Sequence, residues 1–228
     1  KNQQIKLTMS NIFSSSIGKK LIMSISGLFL VVFLLLHLGI NLALLISRDA
    51  YNAAAHFMDT NIFIQIMVPV LALGFAIHII YAIIITLKNQ KARPVKYAVN
   101  STAKASTWAS RNMFVLGVIV LGFLALHLTQ FWYAMQFQHL IGNPTHPDPY
   151  DLVATTLSQP VYAAIYIVWV WALWFHLTHG FWSALQTVGF NNQIWLKRWQ
   201  CISKIYATIV AIGFTIIPVY FLVMSLMA

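Results

Sequence analysis

Four of the eight histidines stand at nearly the same distance from the start of a long apolar run. His37 lies seventeen residues after Lys20, His78 sixteen after Ile62, His127 sixteen after Arg111 and His176 sixteen after Pro160. On helices each sits ~24–26 Å from its start. Imidazole is the commonest metal-binding side chain, and ionisable groups inside a bilayer are costly and mark function. If successive runs cross a membrane in alternate directions, His37 and His127 share one depth and His78 and His176 another. Two depth-matched pairs on antiparallel neighbours are what bis-imidazole haem ligation needs, with one neutral ring nitrogen on each face of the iron. A flat macrocycle fits between apolar helices, so the pattern predicts two haem groups stacked across a membrane. A lone membrane histidine is ordinarily a helix–helix hydrogen-bonding group; the repetition argues for ligation. Zinc would need one compact tetrahedral cluster, which two separate depths do not offer. His179 competes with His176 in FHLTHGFW; the two point ~60° apart, and depth favours His176. His56, His139 and His146 fall in or near outer connections and are read as solvated or interfacial.

The elements that must position these rings are membrane helices. The chain of 228 residues is 60% hydrophobic and 8% charged, against about 25% charged in soluble domains. Five apolar runs, at residues 20–47, 62–88, 111–138, 159–188 and 201–227, are long enough to cross a core of ~30 Å. They are continuous rather than alternating, which disfavours a β-barrel. The expected fold is all-α, with five transmembrane helices, four of them bundled around two haem b groups in one domain over residues 1–228.

The net charge of +10 is distributed as membrane topology requires, not as a nucleic-acid footprint. Thirteen of the fourteen basic residues fall in the N-terminal lead and the connections 88–111 and 191–204, while Arg48 and all four acids fall on the other side. The positive-inside rule then puts the N-terminus in the cytoplasm and the C-terminus outside. Cys201 stands alone, which excludes an internal disulfide, a cysteine-held iron–sulfur cluster and a covalent c-type haem within the chain. No cleavable signal peptide is expected, because the first run is too long and follows a polar, basic start. An interfacial helix is expected around residues 12–17 and a short surface helix over 48–61. Pro94 should end the second long helix. The connection 139–158, with Gly142, Pro144, Pro147 and Pro149, should be irregular. Trp132 and Tyr133 mark one membrane interface, and Trp195 and Trp199 the other. No P-loop, G-x-G-x-x-G or H-E-x-x-H occurs, and no carboxylate lies inside a span. Carboxylate-driven proton pumping is therefore not expected, and chemistry on a water-soluble substrate would need another subunit.

Nearly the whole chain resembles the five-helix, di-haem cytochrome b subunit of succinate:quinone oxidoreductases, the menaquinone-linked succinate dehydrogenases and fumarate reductases. The resemblance rests on SGLFLVVFLLLHLGIN around His37, FAIHIIYA around His78, ASRNMFVLGVIVLGFLALHL leading to His127 and FHLTHGFWSALQTVG from Phe175. It implies an outer haem held by His37 and His127 and an inner haem held by His78 and His176. Gly180, four residues after His176, fits the family pattern and supports His176 over His179. The resemblance also implies polar groups on the haem propionates, for which Ser24, Trp108 and Arg111 stand as candidates. Each has a plain alternative: a backbone-bonded serine, an aromatic-belt tryptophan and an interface anchor. Further implications are a menaquinone site near the outer haem, with ring-binding residues that the sequence does not identify, and a place in the bacterial cytoplasmic membrane. A flavoprotein carrying FAD and an iron–sulfur subunit would dock on the cytoplasmic face, so this chain would transfer electrons without itself acting on the dicarboxylate. Two other readings stay open. One is the di-haem b subunit of a nitrate reductase, formate dehydrogenase or hydrogenase, or a free-standing ascorbate-type cytochrome. The other is a haem-free membrane protein.

Overall fold

The computed structural model describes residues 15–92, 107–138, 141–142, 147–190 and 192–227. The described residues form helices and turns without strands. Five segments are long and apolar enough to cross a membrane: Ser16–Leu45, Ile62–Lys91, Met113–Phe137, Pro160–Thr187 and Gln193–Met227. Helix α1 covers Ser16–Leu42 and ends in a short 3-10 turn, Ala43–Leu45. Its first turn is capped by Ser15, whose hydroxyl accepts from the Gly18 N–H at 2.9 Å. Helix α2, Arg48–Thr60, is the expected short helix, started by the Ser47 hydroxyl. Helix α3, Ile62–Lys91, starts where Asn61 Oδ1 accepts from the N–H groups of Phe63 and Ile64. Such caps satisfy N–H groups that the helix itself leaves unpaired.

After α4, Trp108–Arg111, helix α5 runs from Met113 to His127 and continues as a π-helix over Leu128–Phe137. Helix α6, Pro149–Leu157, corrects the expectation of an irregular connection. Pro149 occupies the first turn, where its missing N–H costs nothing, and Asp148 caps the helix through the Asp151 N–H. Helices α7, Pro160–Thr187, and α8, Gln193–Met227, complete the chain. Helix α8 begins eight residues before the apolar run that announced it. Residues 12–14 of the expected helix around 12–17 lie outside the described residues, as do Pro94, His139 and His146, while Ser16 and Ile17 belong to α1.

Side-chain contacts set the helix directions. Met23 and Phe29 of α1 meet His78 and Gly74 of α3, so these helices are antiparallel. Phe181 and Trp174 of α7 meet Tyr206 and Thr208 of α8, also antiparallel. Val31 and Leu38 of α1 meet Tyr206 and Gly213 of α8, so α1 and α8 run together. Met113, Gly117 and Phe123 of α5 meet Gly180, His176 and Tyr166 of α7, antiparallel again. Helices α1 and α5 therefore share one direction, and α3 and α7 the other. Helix α7 packs on α8, α1 and α5, whereas α3 packs chiefly on α1. The α3–α5 side is thus not closed by extensive backbone packing; Gln136 of the π-helix donates to Gln65 of α3 across it at 3.4 Å.

At the end remote from the N-terminus, Leu44, Tyr51, Phe131, Val153, Leu157, Tyr166, Ile217 and Phe221 form one buried cluster. Burial pushes the Tyr51 phenol up to about 12 and keeps it neutral. A polar clamp holds α2 against α6 over this cluster. Arg48 donates to Asp151 at 2.6 Å and lies 3.2 Å from Asp148, to which Asn52 donates at 2.6 Å. Elsewhere the long helices present apolar side chains outward, among them Val32, Leu36, Phe63, Val118 and Val168. A soluble protein would bury such surface; in a bilayer it faces acyl chains.

Candidate functional site

The four histidines meet in two pairs. The rings of His37 and His127 have centres 5.7 Å apart, with planes at 88°. Those of His78 and His176 are 6.3 Å apart, at 71°. The members of each pair sit on helices that run in the same direction and lie diagonally across the bundle. This corrects the expectation of antiparallel neighbours: with each histidine sixteen or seventeen residues from the start of its run, equal counts reach equal depth on helices that run the same way.

The pairs occupy different levels. His78 contacts Met23 and Gly27 of α1, which lie ten to fourteen residues before His37, or ~15–21 Å along the axis. Gly117, which faces His176, likewise lies ten residues before His127, or ~15 Å. Among the described residues no three His, Cys, Asp or Glu side chains gather as a metal-binding cluster. The imidazoles come in twos.

Paired buried imidazoles fit axial ligation of one iron each. Imidazole–metal bonds are about 2 Å long, and a ring centre lies about 1 Å behind its nitrogen. Two axial rings would therefore have centres roughly 6 Å apart, a value between the two observed separations. The tautomer also fits at His78. Its Nδ1 is 3.2 Å from the Met23 carbonyl, which can only accept, so Nδ1 carries the proton and Nε2 keeps its lone pair. Nδ1 of His127 and Nδ1 of His176 are buried without a hydrogen-bond partner, an arrangement that is costly in apolar surroundings.

Small residues and rings shape the surroundings. A Cβ on Gly27 would lie 3.1 Å from His78 Cε1, and one on Gly180 would lie 3.1 Å from Met113 Cε and 3.9 Å from His176 Cδ2. These glycines let helices approach beside the rings. His37 lies between Phe33 and Phe214, at 5.3 and 5.7 Å. His127 is surrounded by Phe123, Phe131 and Tyr166, at 5.7, 5.4 and 6.2 Å.

His179 does not join a pair: it sits edge-on to Trp182 at 5.0 Å, with its Nδ1 buried and unpartnered. His56 is exposed on α2. Ser24 is buried on α1, one residue from the Met23 carbonyl that His78 uses. Trp108 is exposed on α4 and rests on Phe175 at 5.2 Å. Arg111, the last residue of α4, is exposed too. Helix α4 packs on α5 and α7, so Trp108 and Arg111 lie across the bundle from Ser24.

Sequence reasoning missed several residues of the site. The Met23 carbonyl has no sequence signature. Asn41, four residues after His37, donates to its carbonyl at 2.8 Å and lies 3.4 Å from its Nε2; the i, i+4 spacing was the available signal. Tyr166 donates to Gln130 at 2.8 Å beside His127, and Gln130 lies in the π-helix, a form that often marks functional positions.

Over 161 residues the chain is 30% identical to the succinate dehydrogenase cytochrome b558 subunit of Bacillus subtilis (strain 168), covering 69% of this chain and 72% of the relative. No family model and no solved structure matches.

Proposed function

Because the chain belongs to the family of the succinate dehydrogenase cytochrome b558 subunit, a membrane-anchoring cytochrome b, we propose that it links an iron–sulfur subunit to menaquinone through two haem groups. His78 and His176 would hold the haem nearer the N-terminal end of the bundle, and His37 and His127 the other. The observation that carries this reading is the pairing itself: two imidazole pairs at separate levels, each at the spacing of axial ligands. Haem, when bound, supplies reversible one-electron chemistry.

The chain's own residues do the rest. The Met23 carbonyl fixes the His78 ring and makes it a stronger electron donor. Phe33, Phe123, Phe131 and Phe214 keep water from the second pair. Ser24 and Arg111 are proposed as propionate contacts at the N-terminal end. The same role for Trp108 competes with its place on Phe175. The menaquinone ring is proposed at the other end, where the Tyr166–Gln130 and Gln136–Gln65 pairs supply uncharged hydrogen-bonding groups. Orientation follows charge: the basic end, with the N-terminus, faces the cytoplasm of a bacterium. There the iron–sulfur subunit and the FAD-bearing flavoprotein would dock.

The test is a reduced-minus-oxidised visible spectrum with redox titration of the purified complex, including flavin content and succinate oxidation. His127→Ala should remove one haem component and His78→Ala the other. Loss of the same component in both variants would overturn the pairing. A haem-bearing complex without flavin would overturn the succinate dehydrogenase assignment.

A further inference from the structure

A cavity of about 380 Å³ lies on the outer surface where the second half of α7 meets the first third of α8, beside α4. Trp108 and Trp182 wall it, and Lys204, Gln200, Thr178 and Thr107 supply its polar groups. Its size is within the usual range for small-ligand pockets, roughly 300–1,000 Å³. One wall is pinned, because Trp174 of α7 donates to Thr208 of α8 at 3.0 Å. None of the paired histidines lines it.

We propose that this cavity binds the headgroup phosphate of an anionic phospholipid. Charge is the first argument. The chain has four acids and no Glu. Asp49 and Asp59 lie on α2, and Asp148 and Asp151 at the start of α6, all at the opposite end of the bundle. Lys204 therefore faces no carboxylate of its own chain. Lys197 and Arg198 stand one to two turns away on the same helix, so the local field is positive.

Depth is the second argument. From Lys204 to Met227 is twenty-three residues, ~35 Å of helix, slightly more than a hydrocarbon core of ~30 Å. The Lys204 ammonium thus reaches the headgroup level, where phosphate is the anion the bilayer itself presents. Tryptophans favour the same depth because the indole has an apolar body and one N–H donor. Thr178 donates its hydroxyl to the Phe175 carbonyl at 2.9 Å, so the groups that can donate to a phosphodiester are the Thr107 hydroxyl, the Gln200 amide and the Lys204 cation, above an aromatic wall for the glycerol and first methylenes. Basic pockets between transmembrane helices recognise anionic lipid headgroups in this way.

The proposal rests on the membrane reading and not on haem ligation, so the two fail separately. The purified complex is studied by native mass spectrometry during titration with phosphatidylglycerol or phosphatidylcholine. The wild type is compared with Lys204→Gln, Lys204→Arg and Lys197→Gln, and the haem spectrum is recorded for each. Phosphatidylglycerol should bind about fivefold more weakly to Lys204→Gln. Lys204→Arg should retain binding, Lys197→Gln should stay near wild type, and phosphatidylcholine should show no Lys204 dependence. Equal losses in Lys204→Gln and Lys197→Gln would overturn the site, leaving a diffuse basic surface. Binding of inorganic phosphate alone as tightly as phosphatidylglycerol would overturn the lipid source. Loss of the iron–sulfur subunit from Lys204→Gln with lipid binding unchanged would overturn the proposal in favour of a protein contact.

Discussion

Replacing Gly27 with alanine puts a methyl carbon 3.1 Å from His78 Cε1 and 3.3 Å from its Nδ1. Ordinary carbon contacts begin near 3.5 Å, so the ring must retreat by about 0.3 Å or more. The hydrogen bond from Nδ1 to the Met23 carbonyl is already 3.2 Å long, and a retreat of that size takes it to the edge of hydrogen-bonding distance. Such a bond contributes about 1 kcal/mol, equivalent to roughly 40 mV for a one-electron couple. That figure is a ceiling, because the bond stabilises both oxidation states and only the difference moves the potential. The sign is definite. Weakening the bond makes the imidazole a poorer electron donor, which disfavours the ferric state and raises the midpoint. Redox titration of the Gly27→Ala complex should show one haem component shifted upward by up to about 40 mV and the other unmoved. Alanine also favours the helix by about 1 kcal/mol, so thermal stability is a poor readout and potential a good one. Gly39→Ala, whose Cβ would meet nothing within 4 Å, is the control. A downward shift, an equal shift of both components or the same shift in Gly39→Ala would refute the reasoning.

Three further outcomes follow from the same geometry. His179→Phe should keep both haem components, whereas His176→Phe should lose the one that His78→Ala loses; loss on the His179 change alone would reassign the ligand. Asp148 is pushed up by desolvation but held below its ordinary value of 3.8 by the Asp151 N–H, Arg48 and Asn52. Its stabilising contribution is therefore full above about pH 4 and disappears as pH falls through the lowered folded value. The stability gap between wild type and Asp148→Asn, read by thermal melts, should be present at neutral pH and close in strong acid; a gap independent of pH would contradict the clamp. Tyr166→Phe removes the hydrogen bond to Gln130 and should cost about 1 kcal/mol, lowering the melting temperature without removing either haem component.

The level of each histidine was legible in the sequence because helical rise is constant, so counting residues measures depth. Its azimuth was not, since counting along an axis carries no information about which helices face one another. That is why the pairs were expected on adjacent helices and stand on diagonal ones. The π-helix after His127 was invisible for a related reason: LTQFWYAMQF contains no glycine or proline to announce a change of winding. Helix α6 is readable too: prolines break a helix in its interior, but Asp148 followed by Pro149 is a start signal. Helix α8 began early because hydropathy locates where a helix becomes apolar, and its first residues, QIWLKRWQ, continue the helix beyond that point. Depth and a glycine four residues on separate His176 from His179 in the sequence, and in the structure it is the His176 ring that stands beside His78.

The diagonal pairing also orders assembly in time. The first two spans bring His37 and His78, and the next two bring His127 and His176; neither half contains a complete pair. As the chain emerges from the ribosome, the first hairpin holds two unmatched imidazoles in an apolar surrounding. His127 completes the first pair, and His176 follows forty-nine residues later, about 2–10 s at ordinary rates of synthesis. The pair remote from the N-terminus is therefore the first to be completed. Helix α8 arrives last, to pack on α7 and α1 after both pairs exist.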